Sequence, residues 1–139
     1  MTGEEVAALA RSFCGTPYRH QASLPGAGMD CLGLLRALWR AQFGREPLRV
    51  PAYRADWRDA RGGAELDAAA TLLMVPVAQS GIGDVLLFRM WRDLPPKHCG
   101  VVVAPGRFVH AQERIGVAEA ALSPWWERRV SGIFRFPGA

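Results

Sequence analysis

The hydrophobic period changes partway along this chain, and that change limits the folds open to it. From Glu4 to Phe13, apolar Val6, Leu9, Ala10 and Phe13 recur at helical spacing behind acids in the first turn. A clearer helix is expected from Asp30-Cys31 to about Phe43. Leu34, Leu35, Leu38, Trp39 and Gln42 share one of its faces, and Arg36 and Arg40 lie on another. Asp30 suits its N-cap and Gly44 its C-terminal stop. Glu65 to Met74 reads as a third helix, after an irregular connector over 45–63. Then short β-rich runs take over: Asp84–Phe88, Gly100–Ala104 and Arg107–Ala111, with Gly116–Ala118 and Ser131–Phe136 beyond. Pro105-Gly106 is a turn signal, and Met90–Lys97 a connector. Helices followed by antiparallel strands predict an α+β fold with helices packed on a sheet.

At 139 residues, half of them hydrophobic, the chain is expected to form one domain, 1–139, needing no disulfide or structural metal. There is no internal repeat or low-complexity tract. The formal charge of +4 is carried almost wholly by Arg, Lys97 being the only Lys. Such a balance suits nucleic acid, an anionic surface or an anionic wall polymer, or simply a solvated surface, so charge alone selects nothing. No Arg-aromatic block matches a nucleic-acid module, and no nucleic-acid partner is expected. No run approaches the roughly 18 apolar residues of a membrane span. The N-terminus lacks the basic start and apolar run of a secretory signal, so synthesis in the cytoplasm without an export signal is expected.

Cys14, Cys31 and Cys99 are odd in number and irregular in spacing, which excludes a disulfide framework. Cys31 opens a helix, where first-turn N–H groups have no intrahelical partner and the helix dipole is positive. Both favour a thiolate, and a base nearby takes a thiol from ~8.5 into the range of roughly 3.5–7.5. The same N–H groups can hold a developing oxyanion. A buried helix-capping cysteine is the bland alternative. The neighbouring Gly26, Gly28 and Gly33 argue against it, as positions that let backbone and substrate come close.

His98 precedes the Gly100 strand and His110 lies on the returning one. A strict two-residue turn at Pro105-Gly106 would pair Val101 with His110 and send His98 to the opposite face. A shared face therefore requires a three-residue loop or a β-bulge. In that arrangement His98 serves as base to Cys31, and His110 orients His98. Strand histidines satisfied by backbone are the alternative for each taken singly. Zinc on Cys31, His98, Cys99 and His110 is disfavoured, because adjacent His98 and Cys99 point to opposite faces and no C-x-x-C pair exists. No metal and no other cofactor is expected. A redox centre is disfavoured because no resolving cysteine is near in sequence, Cys14 being the nearest.

Five blocks occur in order: Gly15-Thr16-Pro17-Tyr18-Arg19, Met29-Asp30-Cys31-Leu32-Gly33-Leu34, Gly83-Asp84-Val85-Leu86-Leu87-Phe88, His98-Cys99-Gly100-Val101-Val102-Val103 and Phe108-Val109-His110-Ala111. From about residue 5 to 135 the chain resembles the NlpC-type cell-wall peptidases. The resemblance implies a minimal papain-like α+β fold, with Cys31 as nucleophile, His98 as base, His110 as the orienting residue and Tyr18 near the oxyanion or substrate. It also implies a cap at Asp30 and a turn fixed by Asp84. The implied substrate is the peptidoglycan stem peptide, cut between D-γ-glutamate and diaminopimelate or Lys, without metal or cofactor. The chain departs from the family at His20-Gln21-Ala22, where Tyr-Gly-Gly is common. Stand-alone domains of this kind resemble the tail peptidases of phages and gene transfer agents, which implies tail or baseplate partners and action on the wall from a particle. The rivals are a catalytically silent tail component and a thiol amidase or acyltransferase. Trp125 and Trp126 are expected to pack the C-terminal segment rather than meet a partner.

Overall fold

A computed structural model describes residues 1–46 and 64–138. The connector expected over 45–63 lies outside them except for its first two residues.

Helix α1 (Gly3–Ser12) starts on a capping box. The Glu5 N–H donates to the Thr2 hydroxyl at 3.1 Å, and the Thr2 N–H donates to the Glu5 carboxylate at 2.9 Å. Its buried face is Val6, Ala7 and Ala10. Two short strands, β1 (Ser23–Leu24) and β2 (Gly28–Met29), then form a small antiparallel ribbon. Two-residue strands leave no periodicity to see, so the sequence carries no sign of this ribbon. Helix α2 (Cys31–Phe43) runs between the expected caps. The Asp30 carboxylate accepts from the Gly33 N–H at 2.7 Å. Gly44 adopts φ +84° and donates to the Arg40 carbonyl at 2.8 Å. Arg36 and Arg40 both reach Glu46, at 2.5 and 3.3 Å, on the face away from the core. Helix α3 (Ala64–Leu73) falls within a residue of expectation.

The strands are β3 (Val75–Pro76), β4 (Val85–Phe88), β5 (His98–Ala104), β6 (Arg107–Gln112), β7 (Gly116–Ala121) and β8 (Val130–Arg135), with a short helix α4 (Pro124–Glu127) before the last. Among the described residues they form one antiparallel sheet in the order β3-β8-β4-β5-β6-β7. All four residues of β4 are buried, because both faces of the sheet are covered. Val85, Leu87, Cys99, Val101 and Val109 meet α1 and α2 in one core. Leu86, Phe88, Val102 and Phe108 form a second core, covered by Met90, Leu122 and Trp126. That two-sided burial explains why Val85-Leu86-Leu87-Phe88 is an unbroken apolar run rather than an alternating one.

One irregularity positions the site. Between β5 and β6, Ala104 pairs Arg107, but Val102 pairs Phe108 and Val101 pairs Val109. Val103 is therefore the extra residue of a bulge beside the Pro105-Gly106 turn. It shifts the register by one and places Gly100, not Val101, opposite His110. This is the bulge the sequence reading required.

Candidate active site

Asp30 does more than cap α2. Buried to 1 % exposure, it accepts from the Gly33 N–H through Oδ1 and from the Gln21 N–H through Oδ2, both at 2.7 Å. One carboxylate thus fastens the 20–22 loop to the start of the helix. His20 Nδ1 lies 3.8 Å from the same Oδ2, so the His20-Gln21-Ala22 departure sits beside the helix mouth. Gly33 has the same structural duty. A Cβ on it would lie 1.8 Å from the Ala22 carbonyl oxygen, and one on Gly28 would lie 2.8 Å from the Arg19 Cβ. Gly28 and Gly33 admit neighbouring chain, which corrects for them the reading that they clear access for substrate, whereas open space surrounds Gly26.

Gly33 N–H is taken by Asp30, and Leu34 N–H, at 2.9 Å from the Asp30 carbonyl, starts the intrahelical ladder. The N–H groups of Cys31 and Leu32 are the remaining donors at the positive helix end. Cys31 is half-buried, and its Sγ lies over the start of β5, 3.7 Å from the Lys97 carbonyl oxygen. Both side chains that follow Lys97 hydrogen-bond its sulfur, Cys99 from the helix side and His98 from its ring. The Cys99 contact is the largest influence on the Cys31 thiol. Together with His98 it outweighs burial and the opposing Asp30 charge, and takes the thiol down to about 5. Both contacts bias the sulfur toward its thiolate form.

His98 and His110 lie on the same face, with His98 Nε2 and His110 Nδ1 2.8 Å apart. His110 is 2 % exposed, and burial, aided by the charge of His98, pushes its pKa down to about 3. In the tautomer where His110 accepts at Nδ1, His98 donates from Nε2. The nitrogen of His98 left for Cys31 is then Nδ1. The dryness comes from rings: Trp126 lies 5.6 Å from His98 and 5.0 Å from His110, with Phe88 and Phe108 against the pair. Trp126 therefore packs as expected, whereas Trp125 is 43 % exposed under the Arg129 guanidinium.

Gly100 explains why a glycine follows the histidine by two. A Cβ there would lie 2.8 Å from the Phe108 ring, 3.0 Å from the Val109 carbonyl and 3.3 Å from the His110 Cβ. Tyr18 bridges Met29 and lies half-buried against the same core as Cys31, near enough to feel its charge. Burial, then the charges of Cys31, Asp30 and Glu113, raise its pKa, so it stays a phenol able to donate. Asp84 fixes the turn before β4: it accepts from the Gly81 N–H at 2.7 Å and takes both Arg135 donors at 2.9 Å.

The structure thus brings Tyr18, Cys31, His98 and His110 together. Cys99 and Trp126 join them, and the sequence reading assigned neither to the site. Alternation correctly placed Cys99 on the face opposite His98, and on that ground it was set aside. But Cys31 meets β5 at its first residues, where one sulfur reaches the side chains of both faces. Among the described residues, no group of three or more His, Cys, Asp or Glu is arranged to hold a metal ion.

A helix-borne thiolate against an antiparallel sheet carrying a histidine is the arrangement of a papain-like cysteine peptidase. The chain belongs to the NlpC/P60 family, whose sequence pattern matches residues 15–135. It is 28 % identical over 120 residues to the murein DD-endopeptidase MepS/murein LD-carboxypeptidase of Escherichia coli K12, covering 84 % of this chain and 54 % of that protein. It therefore spans about half that relative's length. It is 27 % identical over 133 residues to a probable endopeptidase of Haemophilus influenzae, covering 91 % of this chain and 73 % of that one. Among solved structures, the NlpC/p60 domain of the peptidoglycan hydrolase SagA superposes with a TM-score of 0.68 at 21 % identity, over 98 % of this chain and all of that domain. NlpC1 of Trichomonas vaginalis gives 0.69 at 22 %, over 96 % and 44 %. These similarities establish the minimal papain-like α+β fold.

Proposed function

We propose that residues 1–139 form one catalytic domain that hydrolyses peptide bonds of peptidoglycan, with Cys31 as nucleophile, His98 as base and His110 as its orienting partner. The observation that carries this reading is the relay from the helix-end thiolate of Cys31 through His98 to a neutral His110. The thiolate attacks the scissile carbonyl carbon. Charge moves to the carbonyl oxygen, held by the helix-end N–H of Cys31 and the Tyr18 hydroxyl. His98 Nδ1–H protonates the leaving amine as the C–N bond breaks, leaving an acyl-thioester. Neutral His98 then takes a proton from water as its oxygen attacks the thioester carbon; the C–S bond breaks, the carboxylic acid leaves, and the thiolate is restored beside protonated His98. Throughout, His98 Nε2–H stays on His110, which fixes the tautomer with Nδ1 facing the sulfur.

For the bond, the family resemblance supports D-γ-glutamyl–diaminopimelate. The Escherichia coli relative, named a DD-endopeptidase and LD-carboxypeptidase, favours the cross-link as the second reading. Purified peptidoglycan incubated with wild type and with Cys31→Ala decides, by mass analysis of released peptides. Fragments ending at D-glutamate support the first reading. Cross-linked dimers turned into monomers support the second. Release unchanged by Cys31→Ala, or none from folded wild type between about pH 5 and 9, overturns the enzyme.

For the biological setting, a resemblance to the tail peptidases of phages and gene transfer agents favours a place in such a particle, acting on the wall. Co-purification with tail or baseplate proteins supports that placement, and its failure in intact particles removes it.

A further inference from the structure

Cys99 has no task in the proposed hydrolysis, yet it is the thiol nearest the reactive one. It is fully buried on the helix-facing side of β5. Its Sγ–H lies 3.2 Å from the carbonyl oxygen of Cys31 itself, so the two residues are immediate neighbours although 68 positions apart. Each thiol is also the largest influence on the other's pKa. The pair is asymmetric. Cys31 is partly exposed and its thiol is biased toward the thiolate; Cys99 is sealed from solvent and its thiol is biased toward the protonated form. A reactive, accessible sulfur backed by a second one is the arrangement that turns oxidation of a cysteine into a reversible event. Cys14, the third cysteine, is exposed on the loop after α1 and is not among the contacts of Cys31.

We propose that Cys31–Cys99 is a modification site: when a peroxide oxidises Cys31, Cys99 captures it as a disulfide that closes the site reversibly. The proposal rests on Cys31 being the reactive thiolate described above. The Cys31 thiolate attacks one oxygen of hydrogen peroxide. The S–O bond forms, the O–O bond breaks, and the departing hydroxide takes a proton to leave as water. Cys31 is then a neutral sulfenic acid. Two of the influences that hold Cys99 protonated, its hydrogen bond to the Cys31 thiolate and that thiolate's charge, lapse at this point. The Cys99 sulfur attacks the sulfenic sulfur, its proton going to the departing hydroxide. The S–S bond forms, the S–O bond breaks and a second water leaves. The two thiols lose two electrons in total, and the peroxide gains them. A dithiol reverses the step by exchange, returning both thiols. The disulfide occupies the attacking sulfur, and it keeps Cys31 from passing to the sulfinic and sulfonic acids, which a dithiol does not reverse.

The test treats the reduced 139-residue chain with hydrogen peroxide in small excess and reads intact mass, peptide map and recovery. Wild type is expected to lose two hydrogens and to give a cross-linked peptide containing Cys31 and Cys99. Dithiothreitol is expected to restore mass and peptidoglycan release together, and Cys14→Ser should give the same cross-link. In Cys99→Ser, and in Cys99→Ala should the serine variant not fold, Cys31 is expected to gain oxygens and to stay inactive after dithiothreitol. Oxygen addition at Cys31 in wild type without the cross-link, or a cross-link to Cys14, overturns the proposal. Because the mapping reads the thiols without turnover, a chain that forms the cross-link but releases nothing from peptidoglycan would remove the hydrolase reading and leave the thiol pair standing.

Discussion

The reactivity of this site is set at single residues. Cys31 owes its lowered pKa first to the Cys99 hydrogen bond and then to His98, with burial opposing both. The rate of iodoacetamide alkylation at Cys31 is therefore expected to titrate with a midpoint about 5 in wild type. Cys99→Ala should move that midpoint upward by removing the strongest favourable contact. A wild-type midpoint near the free-thiol value of ~8.5 would contradict the thiolate assignment. For the histidines, His98→Ala should lower kcat/KM by roughly 10²–10⁴-fold, the range of a lost general base. His110→Asn should keep more activity than His110→Leu, because only the amide can still accept from His98 Nε2–H. Equal losses in the two variants would sink the orienting role. Steady-state kinetics on a stem-peptide substrate separates these cases.

At the level of elements, the site depends on where α2 begins and how β5 meets β6. Asp30 supports the helix start from both carboxylate oxygens, so Asp30→Ala leaves the buried Gly33 N–H without its acceptor and breaks the part-buried bond from the Gln21 N–H. A loss of about 1–3 kcal/mol in urea unfolding is expected, more than an exposed cap gives. The bulge at Val103 brings His98 and His110 to one face, and Gly100 lets the Phe108 and His110 side chains lie across β5. Gly100→Ala is expected to cut kcat/KM strongly by displacing His110, with a smaller effect on alkylation of Cys31. An unchanged rate would show that the rings can yield. This also accounts for what could be read in advance. The bulge was required by counting from the Pro105-Gly106 turn, because period-2 alternation is strict. Strand β3 and the β1–β2 ribbon were missed, because two residues carry no period.

Across the whole molecule, the same groups couple folding to acid. The folded chain holds His110 neutral down to about 3, against 6.5 in its ordinary state. Between those values the unfolded chain binds more protons, so stability falls as pH drops through that window. Cys31 acts in the same direction. Its folded value of about 5 lies below the ordinary 9.0, so its contribution is fully present above the ordinary value and is lost as pH falls through about 5. Urea midpoints are expected to drop steadily from pH 7 to 3, and His110→Phe should flatten the slope below 6.5. A slope unchanged by that variant would show that His110 is not buried neutral.

Local chemistry in the sequence was enough to determine the three main helices, the longer strands, both caps of α2 and the order in which thiol and histidines occur. Each of those depends on neighbours a few residues away, through period, capping and turn geometry. Only the tertiary structure could decide that Gly33 serves a loop rather than a substrate, that Trp126 dries the histidine pair, and that Cys99 meets Cys31 across 68 positions. Those contacts depend on where the end of one helix lands on one strand. Alternation assigns a residue to a face of the sheet, but it cannot say which residue another element will bring to the strand's end.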